Sequence, residues 1–289
     1  MSEDKTPPLM NSGLIHRRLL LLLPGLWLVA SGPLAAEDTK IYTNASAAAE
    51  APLSAQQLDQ LLGPIALYPD ALVAVLLPAS TFPADVVLAA RYLDAKGDPT
   101  KVDDQPWDDS VKSLARFPEV VQWMDENLHW TKQVGEAFIR QPADVMTAIQ
   151  RLRAVARATG SLVTTPEQQV VVDGDTIEIL PVQPDVIYVP RYDPTIVYVS
   201  HPPGYIYPYG PYITFGAGFS MGFWLAYDFD WYNRVIWVGG RSHDWREHRD
   251  WRRSLPSHPV ARPPDPNWRA WKPPANRPPP PDGWRGGPR

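Results

Sequence analysis

At 289 residues the chain is long enough for one large domain or two smaller ones, and it has 34 prolines and no cysteine. Without thiols it has no thiol catalysis, thiolate metal centre, disulfide or lipoprotein acylation. The formal net charge of −5 conceals two regions: residues 37–240 hold 25 Asp/Glu against 13 Lys/Arg, and the stretch from Arg241 onward holds 11 Lys/Arg against 5 Asp/Glu. The acidic body lacks the basic face that a nucleic-acid-binding core needs.

The chain opens with a targeting signature. His16-Arg17-Arg18 precedes the apolar run Leu19–Ala30, and a small-residue exit follows. This is the anatomy of a secretory signal peptide, with processing expected after Ala36. The competing reading is an uncleaved anchor, although the run is short for a membrane span and is interrupted by Pro24 and Gly25. Residues 37–52 read as a flexible leader.

Helices come next. Ser54 and Gln57 have the form of a capping box for a helix through Leu62, ended by Gly63-Pro64. An apolar run from Ile65 to Leu77 stops at Pro78. Pro83 opens another helix whose apolar face is Val86, Ala89, Ala90 and Leu93. Asp108 or Asp109 caps a short helix ending near Arg116, and Pro118 starts one with Val120, Val121, Met124 and Leu128 inward. The clearest helix runs from Pro142 to about Thr159, with Asp144 favouring its N-terminus and Arg153 and Arg157 its C-terminus. Gly160 is placed to terminate it.

Past Pro166 the pattern turns to strands. Two β-branched runs flank Asp173-Gly174, a strong hairpin signal. Then Pro184–Val189 (PDVIYV) and Pro194–Val199 (PTIVYV) repeat at a spacing of ten residues, and both are expected to be strands joined by Arg191-Tyr192-Asp193. Residues 201–240 are a Gly/aromatic segment in which Pro202 to Tyr227 carries no charge and Gly218 and Gly222 have small-xxx-small spacing. The segment from Asp228 is expected to end in one more strand. From Arg241 the Pro-rich, basic, Trp-punctuated tail is expected to be disordered. Helices first and strands after give an α+β class: an N-terminal helical bundle, a small antiparallel β module and a disordered tail.

The segments ALYPDALVAVLLPASTFPADVVLAARYL, WDDSVKSLARFPEVVQWM, WTKQVGEAFIRQPADVMTAIQRLR and VIYVPRYDPTIVY together resemble the bacterial exported family catalogued as domain of unknown function 3300. The likeness covers roughly residues 53–200, which it marks as one family-like domain. It implies export to the cell envelope, and it carries over no activity, cofactor or catalytic residue.

Candidate binding residues are the connection Arg191, Tyr192 and Asp193, the pair Tyr68 and Asp70, and the indoles Trp107, Trp123 and Trp130. Packing of the aromatics competes with a peptide- or sugar-stacking groove, and a turn built on an Arg–Asp pair competes with a binding triplet. No catalytic residue, metal site or cofactor is assigned. DDQPWDD (Asp103–Asp109) reads as a solvated loop with helix caps, since it lacks the Gly and terminal Glu of a calcium loop. His129 and His201 lie in no G-x-S-x-G context. The leading expectation is a non-enzymatic exported binding or assembly module, with a protein partner or with an anionic envelope polymer or membrane surface met through the basic tail. The alternatives are an envelope hydrolase with a carboxylate-based site at the helix–strand junction, and a membrane-associated protein inserting Ile213–Tyr227.

Overall fold

The computed structural model describes residues 51–183, 186–200, 211–222, 225–239 and 268–273. The expected signal peptide and nearly all of the leader lie outside them. The described chain is α+β: helices α1 (Ala55–Leu62), α2 (Asp70–Ser80), α3 (Pro83–Asp94), α4 (Asp109–Leu114), α5 (Pro118–Glu126), α6 (Leu128–Arg140), α7 (Pro142–Ala158) and α8 (Pro194–Val197), with strands β1 (Gln168–Asp173), β2 (Thr176–Pro181), β3 (Val186–Tyr192), β4 (Ile213–Ser220), β5 (Tyr227–Asp230), β6 (Val235–Val238) and β7 (Arg269–Ala270).

Local chemistry sets most helix boundaries. Ser54 and Gln57 close a reciprocal capping box on α1. Proline occupies the first position of α3, α5 and α7, where the missing N–H costs nothing. Asp108 caps α4 by accepting from the Ser110 N–H at 2.9 Å. Gly160, at φ +78°, takes the left-handed conformation that ends α7. Two expectations need correcting here. Pro78 lies inside the last turn of α2 rather than before a stop, and α2 begins only after Pro69. Residues 128–140, for which the sequence pattern predicts no separate helix, form α6, with His129 exposed in its first turn.

The hydrophobic core is organised around α2. Ten of its eleven residues are buried, which makes it the central helix, and α4, α6 and β5 pack against it. Among the described residues no single helix is long and apolar enough to cross a membrane. The pair α2 and α3 passes together by length and composition only, bent by 113°. A smaller cluster, including Leu67, Ala156, Ile179 and Val197, lies under the β1–β2 hairpin and α8.

The strands form three small antiparallel sheets: β1–β2, β3–β4 and β5–β6–β7. The β1–β2 register, with Asp173 opposite Thr176, confirms the hairpin at Gly174. The ten-residue repeat does not give two strands. Val186–Val189 of the first copy lies in β3, but Pro194–Val197 is a helical turn, because the Asp193 carboxylate accepts from the Thr195 N–H at 2.8 Å and from its hydroxyl at 2.7 Å. The Gly218–Gly222 stretch begins in a strand rather than a helix. Gly218 lies in β4 opposite Tyr188, and a Cβ there would strike Val186 and the Tyr188 ring. Within the tail, residues 241–267 and 274–289 lie outside the described set. Residues 268–273 do not follow the expectation of disorder: Arg269-Ala270 pairs with β6 as β7, and Trp268 is 4% exposed.

Candidate functional site

Asp70 stands at the start of α2 and is 3% exposed. One oxygen accepts from Arg153 Nη1 at 2.6 Å and from the Ile179 N–H of β2 at 3.2 Å; the other accepts from Trp231 Nε1 at 2.8 Å. Arg153, on α7, has no exposed surface. Besides Asp70 it donates to the carbonyls of Ala66 (2.8 Å), Tyr68 (3.0 Å) and Ile177 (2.8 Å), and its guanidinium lies 4.8 Å from the centre of the Trp231 ring. Two charges taken out of water require this degree of pairing. The network fastens together α2, α7, the hairpin and the β5–β6 turn, so Asp70 is structural. Sequence reasoning missed Arg153 and Trp231. The position of Arg153 near the end of α7 points to the helix dipole, whereas its partner Asp70 lies 83 residues away.

The connection Arg191-Tyr192-Asp193 is divided among three roles. Asp193 is the cap of α8. Tyr192 turns inward: its hydroxyl donates to the Gly63 carbonyl at 2.9 Å and accepts from the Leu67 N–H at 3.1 Å. Tyr198 also donates to Gly63, at 2.8 Å, and the rings of Tyr68 and Tyr198 meet Tyr192 edge-on at 6.4 and 6.5 Å. This phenol cluster holds the α1–α2 loop on β3 and α8. Burial pushes the Tyr192 and Tyr198 phenols above their ordinary range. Tyr68 rises to about 12, first through burial and then through the Glu119 carboxylate, with Arg191 acting the other way.

Arg191 is the outward member, its side chain 63% exposed, and it pairs with Glu119 at the start of α5. Glu119 Oε1 is shielded from solvent and has no hydrogen-bond partner. Gly216 of β4 covers the pair: a Cβ there would lie 3.0 Å from Arg191 Nη2 and 3.4 Å from Glu119 Oε1. Tyr68, Glu119 and Arg191 therefore form one polar corner at the helix–strand junction, and Glu119 is the acid there whose bonding is incomplete.

The indoles do not line a shared groove. Trp107 is 6% exposed and packs edge-on against Tyr92 at 5.5 Å. Trp123 and Trp130 contact each other at 4.5 Å, and Trp130 Nε1 donates to the Leu61 carbonyl at 2.7 Å, joining α6 to α1. All three pack against neighbouring rings, and Trp130 adds a satisfied polar tip. Asp103 and Asp104 pair with Arg116 and Lys101, consistent with a solvated loop. Among the described residues no group of three or more His, Asp or Glu side chains converges as a metal site. An open groove of about 590 Å³ between α7 and the hairpin is lined by Arg157, Leu162, Val163, Val172 and Asp175 among others, and contains none of the expected site residues. The polar corner is the better candidate on chemistry.

Fold and site thus define an α+β domain with a buried Arg–Asp core and a surface Arg–Glu–Tyr corner. The chain belongs to the family described as "Protein of unknown function (DUF3300)", whose model matches residues 54–262. It is 38% identical over 224 residues to "Uncharacterized protein YacH" of Escherichia coli (strain K12), a match covering 60% of this chain and 36% of that protein. The chain therefore spans about a third of that relative's length. No solved structure matches it.

Proposed function

We propose that the chain is an exported cell-envelope binding or assembly module, non-enzymatic, whose basic tail contacts an anionic surface. The observation that carries this reading is the seat of residues 268–271 on the body: among the described residues, a tail with 11 cationic and 5 acidic residues meets an acidic body along β6. Opposite charge attracts the tail to polyanions while the body is repelled, which presents the body outward from the surface. The structural roles of Asp70 and Asp193 support binding over catalysis at the junction.

The test replaces Arg246, Arg249, Arg252, Arg253, Arg277 and Arg285 with Gln in the full chain, leaving residues 268–272 unchanged. The parent protein should sediment with sacculi or with anionic phospholipid vesicles at low salt, and be released at about 1 M salt, where the Debye length is about 3 Å. Retention by only one of the two identifies the polymer or the lipid as the surface. Equal sedimentation of parent and variant would remove the tail from the account.

A second reading, a hydrolase with a carboxylate-based site, is favoured by the incompletely bonded, shielded Oε1 of Glu119 beside Arg191 and Tyr68. It requires that Glu119→Gln abolish release of soluble fragments from sacculi.

A further inference from the structure

The way residues 268–271 sit on the body is that of a bound peptide. The segment adds a third strand to the β5–β6 hairpin, with Ala270 opposite Trp237 and Arg269 opposite Val238, and the Trp271 N–H donates to the Ile236 carbonyl at 2.8 Å. Its two indoles occupy separate seats. Trp268 packs on Gly239, where a Cβ would come within 2.5 Å of Trp268 Cε2 and 2.7 Å of Cζ2, so the slot exists only because that residue is glycine. Trp271 stacks on Phe138 of α6, centroid to centroid 4.8 Å and 27° between planes. Beside Val238 and Gly239 a recess is lined by Asp103, Asp109, Lys112 and Ser113, with Lys112 paired to Asp109.

Main-chain pairing along a sheet edge, with pockets for selected side chains, is how folded domains recognise extended peptides. Two further facts indicate that the groove and its occupant are separable. The groove lies within the family-matched residues 54–262, whereas its occupant lies beyond them. The occupant's Trp-Arg pair also recurs in the tail at 245–246, 251–252 and 284–285.

We propose that the β6 edge, with the Gly239 slot and the Phe138 platform, is a recognition site for extended Trp-Arg-x-Trp peptides, which the chain's own residues 268–271 occupy as a tethered competitor. The partner is a peptide segment of that chemistry: two tryptophans three residues apart, with a cationic residue between them, bound antiparallel to β6. This inference does not depend on the anionic-surface reading.

The experiment measures binding of a fluorescent peptide spanning residues 265–274 to the full chain carrying Trp268→Ala and Trp271→Ala. The opened variant should bind the peptide, and the parent should bind it at least about tenfold more weakly, because the resident segment is covalently linked and competes at a high effective concentration. Adding Gly239→Val to the opened variant should abolish binding. A second opened variant, Arg269→Pro, leaves both indoles and the body intact while a proline in β7 cannot fill the ladder, so it should also gain peptide binding. Absence of binding by a folded Arg269→Pro chain, or binding indifferent to Gly239→Val, would overturn the proposal.

Discussion

At Asp70, three donors converge on two oxygens, and the opposing guanidinium has no exposed surface. Removing one charge strands the other in a medium that cannot solvate it, so Asp70→Asn is expected to cost about 3–5 kcal/mol in denaturant unfolding. Replacing both partners with apolar residues (Asp70→Leu with Arg153→Met) should cost less than the sum of the single changes, because no unpaired charge is left. The phenol cluster gives a pH dependence. Tyr68, Tyr192 and Tyr198 are all raised in the folded state, so the folded form holds their protons more tightly than the unfolded chain, whose tyrosines titrate near about 10. Their contribution is fully present below that pH and is lost as pH rises toward about 12, the value for Tyr68. Denaturant midpoints should fall over that window, and absorbance titration should show tyrosine ionisation coincident with unfolding.

Between elements, α2 and α6 approach closely at Gly135. A Cβ there would overlap the Ser80 carbonyl and meet the Thr81 Cα at 3.0 Å, and backbone cannot step aside as a side chain can. Gly135→Ala is therefore expected to destabilise by about 1–3 kcal/mol, measured by thermal or denaturant unfolding, despite the gain in helix propensity. The same helix shows why parts of the fold were hard to read. α6 buries Thr131 and Gly135 along with Val134 and Phe138, so its inward stripe is not uniformly apolar, and it follows α5 with only Asn127 between them. Helices bounded by caps and prolines were legible because those signals are local. The α8 turn carried a local signal too: Asp193-Pro194-Thr195 is a cap, a first-position proline and a capping partner, but it was outweighed by the likeness of PTIVYV to the preceding strand. Trp231 and Arg153 gave no local sign, because what defines them is a meeting of segments separated by 161 and 83 residues from Asp70.

For the whole molecule, composition separates an acidic body from a basic tail. Composition averages over the tail and so hides the six residues, 268–273, that fold back; their seats on Gly239 and Phe138 belong to the body. A domain that carries its own cationic arm at a fixed point suits attachment to a polyanionic surface. The measurement that tests this most directly incubates the purified full chain with sacculi and follows the bound fraction and the release of soluble fragments together. The account predicts retention at low salt, reversal at about 1 M salt, loss on substituting the tail arginines, and no sustained release. Sustained release that Glu119→Gln abolishes, with retention indifferent to the tail, would contradict it.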